Sequence, residues 1–218
     1  SIQDLAVSGP YLLASTYGGG IYRTSNNGAN WTAVNSGLIS NLVGDLYVTG
    51  TSIYATSSNS GVYISHNNGS GWNLINSNIR VSNFAGTDND LYAGTGNGVF
   101  HSTNNGLNWT DSSLIGINIS AIEYSGSDLY AGTYSNGIYH STSYGANWVS
   151  VNNGFTISNV RIFLLSGTDL FAGTSGGGVY HTTDNGSNWS AENDGLPYTI
   201  VLSFTSEGSN IYAGTHGA

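Results

Sequence analysis

All five tryptophans of this 218-residue chain fall in one recurring octapeptide. The copies end at Trp31, Trp72, Trp109, Trp148 and Trp189, spaced by 41, 37, 39 and 41 residues. Each begins with Ser or Thr and carries Gly at its fifth position, as in Thr24-Ser-Asn-Asn-Gly-Ala-Asn-Trp31. A second motif recurs in step with the first. It reads Leu-Tyr-Ala-Gly-Thr at 91–95 and 129–133, with close variants at 12–16, 53–57, 170–174 and 211–215. A fixed period of about forty residues is the mark of a repeat architecture, so it constrains the fold before any single element does.

One unit reads as four short strands. The first is an apolar run such as Ile119–Tyr124, and the second is the Leu-Tyr-Ala-Gly-Thr segment. The third is Gly-(Ile/Val)-(Tyr/Phe), and the fourth starts at the Trp. Asn-Gly and Gly-rich pieces lie between them, as hairpins that need positive φ require. No window holds a sustained helical stripe, so the reading is all-β. Four strands in forty residues define a propeller blade, whose two apolar faces are buried by its neighbours. The chain is expected to be a single β-propeller domain over 1–218, with repeats at about 1–38, 39–79, 80–116, 117–155 and 156–197 and a partial one at 198–218. Six blades are favoured over five, with the partial repeat pairing with another chain or a missing segment. The absence of an initiator Met and of a signal peptide suggests a processed protein or a fragment.

The octapeptide resembles the Asp-box of the bacterial neuraminidase repeat (BNR-like) β-propellers, Ser/Thr-x-Asp-x-Gly-x-x-Trp. Only Asp184 keeps the Asp; Asn26, Asn67 and Asn104 replace it, and Ser143 departs further. The resemblance covers essentially the whole chain and implies a structural loop remote from any active site. Trp31, Trp72, Trp109, Trp148 and Trp189 are accordingly expected to fill the space between blades. With the carboxylates gone, a bound cation at these loops is not expected, and neither a metal nor a cofactor is assigned.

The same resemblance invites a sialidase reading, which needs three converging Arg. The chain has three Arg in total and no Lys. Arg80 and Arg161 precede first strands near the expected channel, whereas Arg23 lies on a third strand beside an octapeptide, so no triad is expected. A glycosidase needs two carboxyls about 5–10 Å apart. Asp4, Asp45 and Glu123 on first strands are the candidates, though solvation of the channel is the preferred reading of them. Xyloglucan-cleaving enzymes carry similar boxes, but in two complete propellers. His101, His140 and His181 recur at one strand position, and equivalent positions on different blades are too far apart to share an ion.

Composition closes further routes. Twelve acids against three Arg give a formal charge of −9. Nucleic-acid binding by phosphate neutralisation is thereby excluded, and so is a polybasic membrane contact. No apolar stretch is long enough for a membrane-spanning helix. Zero Cys removes thiolate sites and disulfides. What remains is a non-catalytic extracellular or cell-surface module that binds a glycan or protein, in adhesion for example. Tyr17, Tyr134, Arg161, Asp194 and Tyr198, on the loops joining second to third strands and fourth to first, are the candidate ligand-binding residues. A glycoside hydrolase and an architectural subunit of a filament or surface assembly are the alternatives.

Overall fold

The computed structural model describes residues 1–217; the last position of the expected partial repeat, Ala218, lies outside them. Every regular element of the described residues is a strand. The first blade is β1 (Ile2–Ser8), β2 (Tyr11–Thr16), β3 (Gly20–Thr24) and β4 (Thr32–Ala33). The second is β5 (Val43–Thr49), β6 (Ser52–Ser57), β7 (Gly61–Ser65) and β8 (Asn73–Asn76). The third holds β9 (Val81–Gly86), β10 (Leu91–Thr95), β11 (Gly98–Ser102) and β12 (Thr110–Ser113). The fourth holds β13 (Ile119–Ser125), β14 (Asp128–Thr133), β15 (Ile138–Ser141) and β16 (Val149–Ser150). The fifth is β17 (Val160–Ser166), β18 (Asp169–Thr174), β19 (Val179–Thr182) and β20 (Ser190–Ala191). A two-stranded sheet, β21 (Val201–Glu207) and β22 (Asn210–Thr215), follows. Each four-stranded sheet is an antiparallel meander in chain order, as in a propeller of about six blades. The fourth strands begin one residue after the Trp, not at it.

The chain forms two compact units, one of Ser1–Thr95 with Phe100–Thr110, the other of Gly96–Val99 with the residues from Asp111 onward. In the first, β1 packs on β5 and β5 on β9; in the second, β13 packs on β17 and β17 on β21. The close approach is built into the Ala-Gly pair of the second strands. Ala14, Ala55, Ala93, Ala131 and Ala172 are all buried. A Cβ on Gly132 would stand 2.5 Å from the Val160 side chain, and one on Gly173 would stand 2.7 Å from Val201. The first residue of each following blade occupies that space.

The octapeptide closes its own loop. The opening Ser or Thr hydroxyl accepts the Gly N–H four residues on: Gly28 to Thr24 at 3.2 Å, Gly69 to Ser65 at 3.0 Å, Gly106 to Ser102 at 2.9 Å, Gly145 to Ser141 at 3.0 Å and Gly186 to Thr182 at 3.1 Å. The third residue accepts the N–H of the seventh, at Asn26, Asn67, Asn104, Asp184 and even Ser143. The role requires an acceptor oxygen and no charge, which is why Asn and Ser serve. Two consecutive residues, not the Gly alone, take positive φ, as at Asn27 (54°) and Gly28 (85°).

Tryptophan burial corrects the sequence expectation. Trp72 and Trp189 are buried at 4% and 5%, whereas Trp31 is 39% exposed and Trp109 and Trp148 are half-buried. Trp72 donates from Nε1 to Val34 O of the preceding blade at 2.9 Å, and Trp189 does the same to Val151 O at 2.9 Å. Trp72 and Trp189 therefore pack backwards, whereas Trp148 donates from Nε1 to Gly145 O of its own octapeptide at 2.9 Å. Trp31 belongs to the first blade of the described residues.

Candidate functional site

In the second unit, the loops joining second to third strands are locked to the segments entering their own blade and the next. Tyr134 N donates to Asn118 O and Gly137 N to Ser158 O, each at 3.0 Å. One blade on, Ser175 N donates to Asn159 O, and Gly176 N and Gly178 N both donate to Thr199 O. Arg161 reaches from β17 to Ser175 Oγ at 3.2 Å. Tyr134, Arg161, Asp194 and Tyr198 consequently share one loop end of successive blades. Tyr134 is 61% exposed, and Asp194 is exposed on the turn closed by Leu196 N to Asn193 O. The Tyr198 ring lies against the main chain at Gly217. Beside Tyr134 is an open cleft of about 260 Å³, with Ser135, Asn136 and Gly137 on one side and Phe155, Ile157 and Ser158 on the other.

The first unit repeats the design at Tyr17, which is 62% exposed. Gly18 N and Gly20 N both donate to Asn41 O, and Ile39 nearby is 74% exposed.

A residue the sequence reading passed over fixes these loops. Asn35, Asn152 and Asn193 each stand four positions after an octapeptide Trp. Asn35 Oδ1 accepts from Ile21 N at 2.7 Å, Asn152 from Ile138 N at 2.8 Å and Asn193 from Val179 N at 2.9 Å. Their Nδ2 groups donate to Gly19, Asn136 and Gly177 carbonyls. The recurrence of Asn at that offset was the available signal.

The carboxylates are spent on the backbone. Every first strand carries a register shift near its start, at Ile2/Asp4 and Val43/Leu46 for example. Such a bulge frees backbone groups from the ladder. Asp4 accepts from Leu5 N at 2.8 Å and from Leu46 N of the next blade at 2.9 Å. Asp45 accepts from Phe84 N, one blade further, at 3.3 Å. Burial raises the Asp4 pKa. Burial first, and then the Asp4 charge, pushes Asp45 up to about 8. Burial also raises Glu123, whose carboxylate accepts from Tyr124 N at 3.3 Å. Asp4 and Asp45, both half-buried, thus tie adjacent blades together through main-chain N–H groups.

Arg23 and three of the histidines are tied down as well. Arg23 donates to Asn68 O and Ser70 Oγ, each at 2.8 Å, with its guanidinium 4.1 Å from the Tyr11 ring centroid. His101, His140 and His181 stack on Tyr92, Tyr130 and Phe171 with centroids 4.4 Å apart. Their Nε2 atoms lie 3.1, 3.3 and 3.3 Å from Asp90, Asp128 and Asp169. Each His serves its own blade. Among the described residues no cluster of three or more metal-ligating side chains occurs.

A family model of the DUF6242 beta propeller domain matches residues 5–120, more than half of the chain. The chain belongs to that family. No curated protein matches its sequence. Among solved structures, an ancestral GH74 enzyme is 22% identical with a TM-score of 0.72, covering 92% of this chain and 32% of that one. The extracellular domain of a B. thetaiotaomicron protein described as a one component system is 15% identical, with a TM-score of 0.79 over 98% of this chain and 32% of the other. YCF48 bound to D1 peptide is 14% identical, with a TM-score of 0.72 over 98% of this chain and 75% of the other. At these identities the likeness is one of fold. This DUF6242-family chain spans about a third of the length of the first two.

Proposed function

We propose that this DUF6242-family propeller is a non-catalytic binding module of an extracellular or surface protein, recognising a protein or glycan at its loop end. The observation that carries the reading is Tyr134, an exposed aromatic on a loop locked by hydrogen bonds at both sides, beside an open cleft of mixed polar and apolar lining. Rigid Tyr with adaptable Asn and Ser suits recognition at low entropic cost. The solved relatives support it to the extent of their descriptions, one extracellular and one bound to a peptide. The octapeptides, read as Asp-boxes that have mostly lost the Asp, are the scaffold under those loops.

A glycan array and a peptide array test the proposal together. Binding that Tyr134→Ala and Arg161→Ala each reduce at least tenfold, with unchanged melting, is the expected result. Blank arrays at high protein concentration overturn it. The hydrolase reading retains one observation in its favour, the neighbouring Asp4 and Asp45 with their raised pKa values. Hydrolysis of chromogenic glycosides that Asp45→Asn abolishes would favour it.

A further inference from the structure

We infer that the cleft beside Tyr134 is a subsite for one ring of a neutral glycan, with the carbon face of that sugar laid on the Tyr134 ring, an assignment that rests on the binding reading above and gives it a ligand class.

The lining selects the chemistry. Phe155 and Ile157 supply an apolar side, and Phe155 packs against Tyr180 and Trp189 with ring centroids 4.5 and 5.7 Å away. Two polar side chains are already committed. Asn152 accepts from Ile138 N and donates to Asn136 O and Ser150 Oγ, and Thr156 Oγ1 lies 2.6 Å from the Tyr180 hydroxyl. Others face solvent with capacity to spare. Ser135 Oγ donates to Asn136 Oδ1 at 3.0 Å, which leaves the Asn136 amide N–H groups to donate. Asn136 Nδ2 and Ser158 Oγ have no partner among the described residues, and Ser135, Asn136 and Ser158 are exposed. Amide and hydroxyl groups both give and accept hydrogen bonds, as sugar hydroxyls do. None of the residues lining the cleft is ionisable and the chain carries a formal charge of −9, so an anionic ligand meets no counter-charge there.

The main chain of the loop disfavours an extended peptide. Tyr134 N donates to Asn118 O, Asn136 N to Thr133 Oγ1 at 2.7 Å, Gly137 N to Ser158 O and Ile138 N to Asn152 Oδ1. Strand addition draws its affinity from open main-chain groups, and these four amides are taken. A sugar needs only side chains and a ring face. Tyr134 is 61% exposed on a backbone held at both sides, so stacking orders little that is not ordered already. At about 260 Å³ the cleft is smaller than the roughly 300–1,000 Å³ of a site that encloses a drug-sized ligand, which suits one ring of a chain continuing over the open surface.

The test is titration calorimetry of the full chain with neutral gluco-, manno-, galacto- and xylo-oligosaccharides, beside an array of peptides that includes proline-rich ones. At least one neutral oligosaccharide is expected to bind, with an affinity unchanged between about 0.05 and 0.5 M salt. Tyr134→Phe keeps the ring face and should bind within about twofold of the parent, whereas Tyr134→Ala should lose at least about tenfold. Asn136→Ala should lose about three- to tenfold, the loss of one hydrogen bond, and all three variants should melt as the parent does. Sugar binding that Tyr134→Ala leaves intact, or that Tyr134→Phe loses as fully as Tyr134→Ala, overturns the assignment. Peptide binding that Tyr134→Ala abolishes, with no sugar bound, overturns it while the loop-end reading stands. No ligand of either class overturns both.

Discussion

Replacing Asp45 with Asn tests the claim that its carboxyl is a neutral structural group. The carboxyl is buried beside Asp4, and its pKa is pushed up to about 8 from the ordinary 3.8. A carboxyl whose folded pKa is raised binds more protons in the native state than in the unfolded one. Its contribution to stability is therefore fully present below about pH 4 and is lost as pH rises through about 8. One pKa unit corresponds to about 1.4 kcal/mol, so holding the proton at pH 7 costs on the order of 4 kcal/mol, as an upper figure. Asn keeps the shape and an oxygen for Phe84 N, and it has no proton to lose. Its melting temperature should exceed the parent's at pH 8 by up to about 8–16 °C, at about 2–4 °C per kcal/mol for a chain of this size. At pH 4 the two should coincide. Scanning calorimetry between pH 4 and 8 decides it, because Asp4 and Glu123 tilt both curves and only the difference belongs to Asp45. If the Asn variant melts no higher than the parent at pH 8, the carboxyl is ionised in the fold and the reasoning fails.

Backward packing makes Trp72→Ala cost about 3–5 kcal/mol in denaturant unfolding, while Trp31→Ala, half outside the core already, costs under about 1.5. Equal losses would remove the direction of packing. Tyr144 holds a φ of 52° where the other octapeptides place Asn at 54–59°, so Tyr144→Asn should stabilise by about 1 kcal/mol, read from the same curves. Asn193→Ala strands Val179 N and the Gly177 carbonyl and should cost about 1–3 kcal/mol. The adjacent Asp194→Ala, exposed on the turn, should fall within about 0.5 kcal/mol of the parent.

The blade count and strand order were legible because the repeat marks every hairpin twice, once at Ala-Gly-Thr and once at the octapeptide. Tyr17 and Tyr134 occupy one position of the repeat, and each is exposed in its own unit. Other features needed coordinates. The sequence treats five Trp as equivalent, but Trp72 and Trp189 are buried, Trp109 and Trp148 half-buried and Trp31 exposed. Asp4 and Asp45 look like surface acids until the bulge in each first strand places an N–H of the next blade at their carboxyls. That shift of one residue in register leaves no composition signal. Asn35, Asn152 and Asn193 were visible as a recurrence, and only their paired bonds to both sides of a loop give it meaning.

The fate of the acids bears on binding against catalysis. Asp4 and Asp45 hold the backbone of the next blade, Asp88 takes the Tyr54 hydroxyl, and Asp90, Asp128 and Asp169 face histidines. Asp184 shapes its octapeptide and Glu192 receives Ser190 Oγ. Asp111, Asp194 and Glu207 are exposed. A hydrolytic pair needs two carboxyls free to exchange protons with a substrate, and a carboxylate saturated by main-chain N–H groups gives up that freedom. Loops that carry Tyr, Asn and Ser on a backbone already satisfied have the opposite property: their side chains remain available while their positions are fixed. In this chain Asp4, Asp45, Asp88 and Asp184 are engaged within the blades, while Tyr17 and Tyr134 stay exposed on their loops.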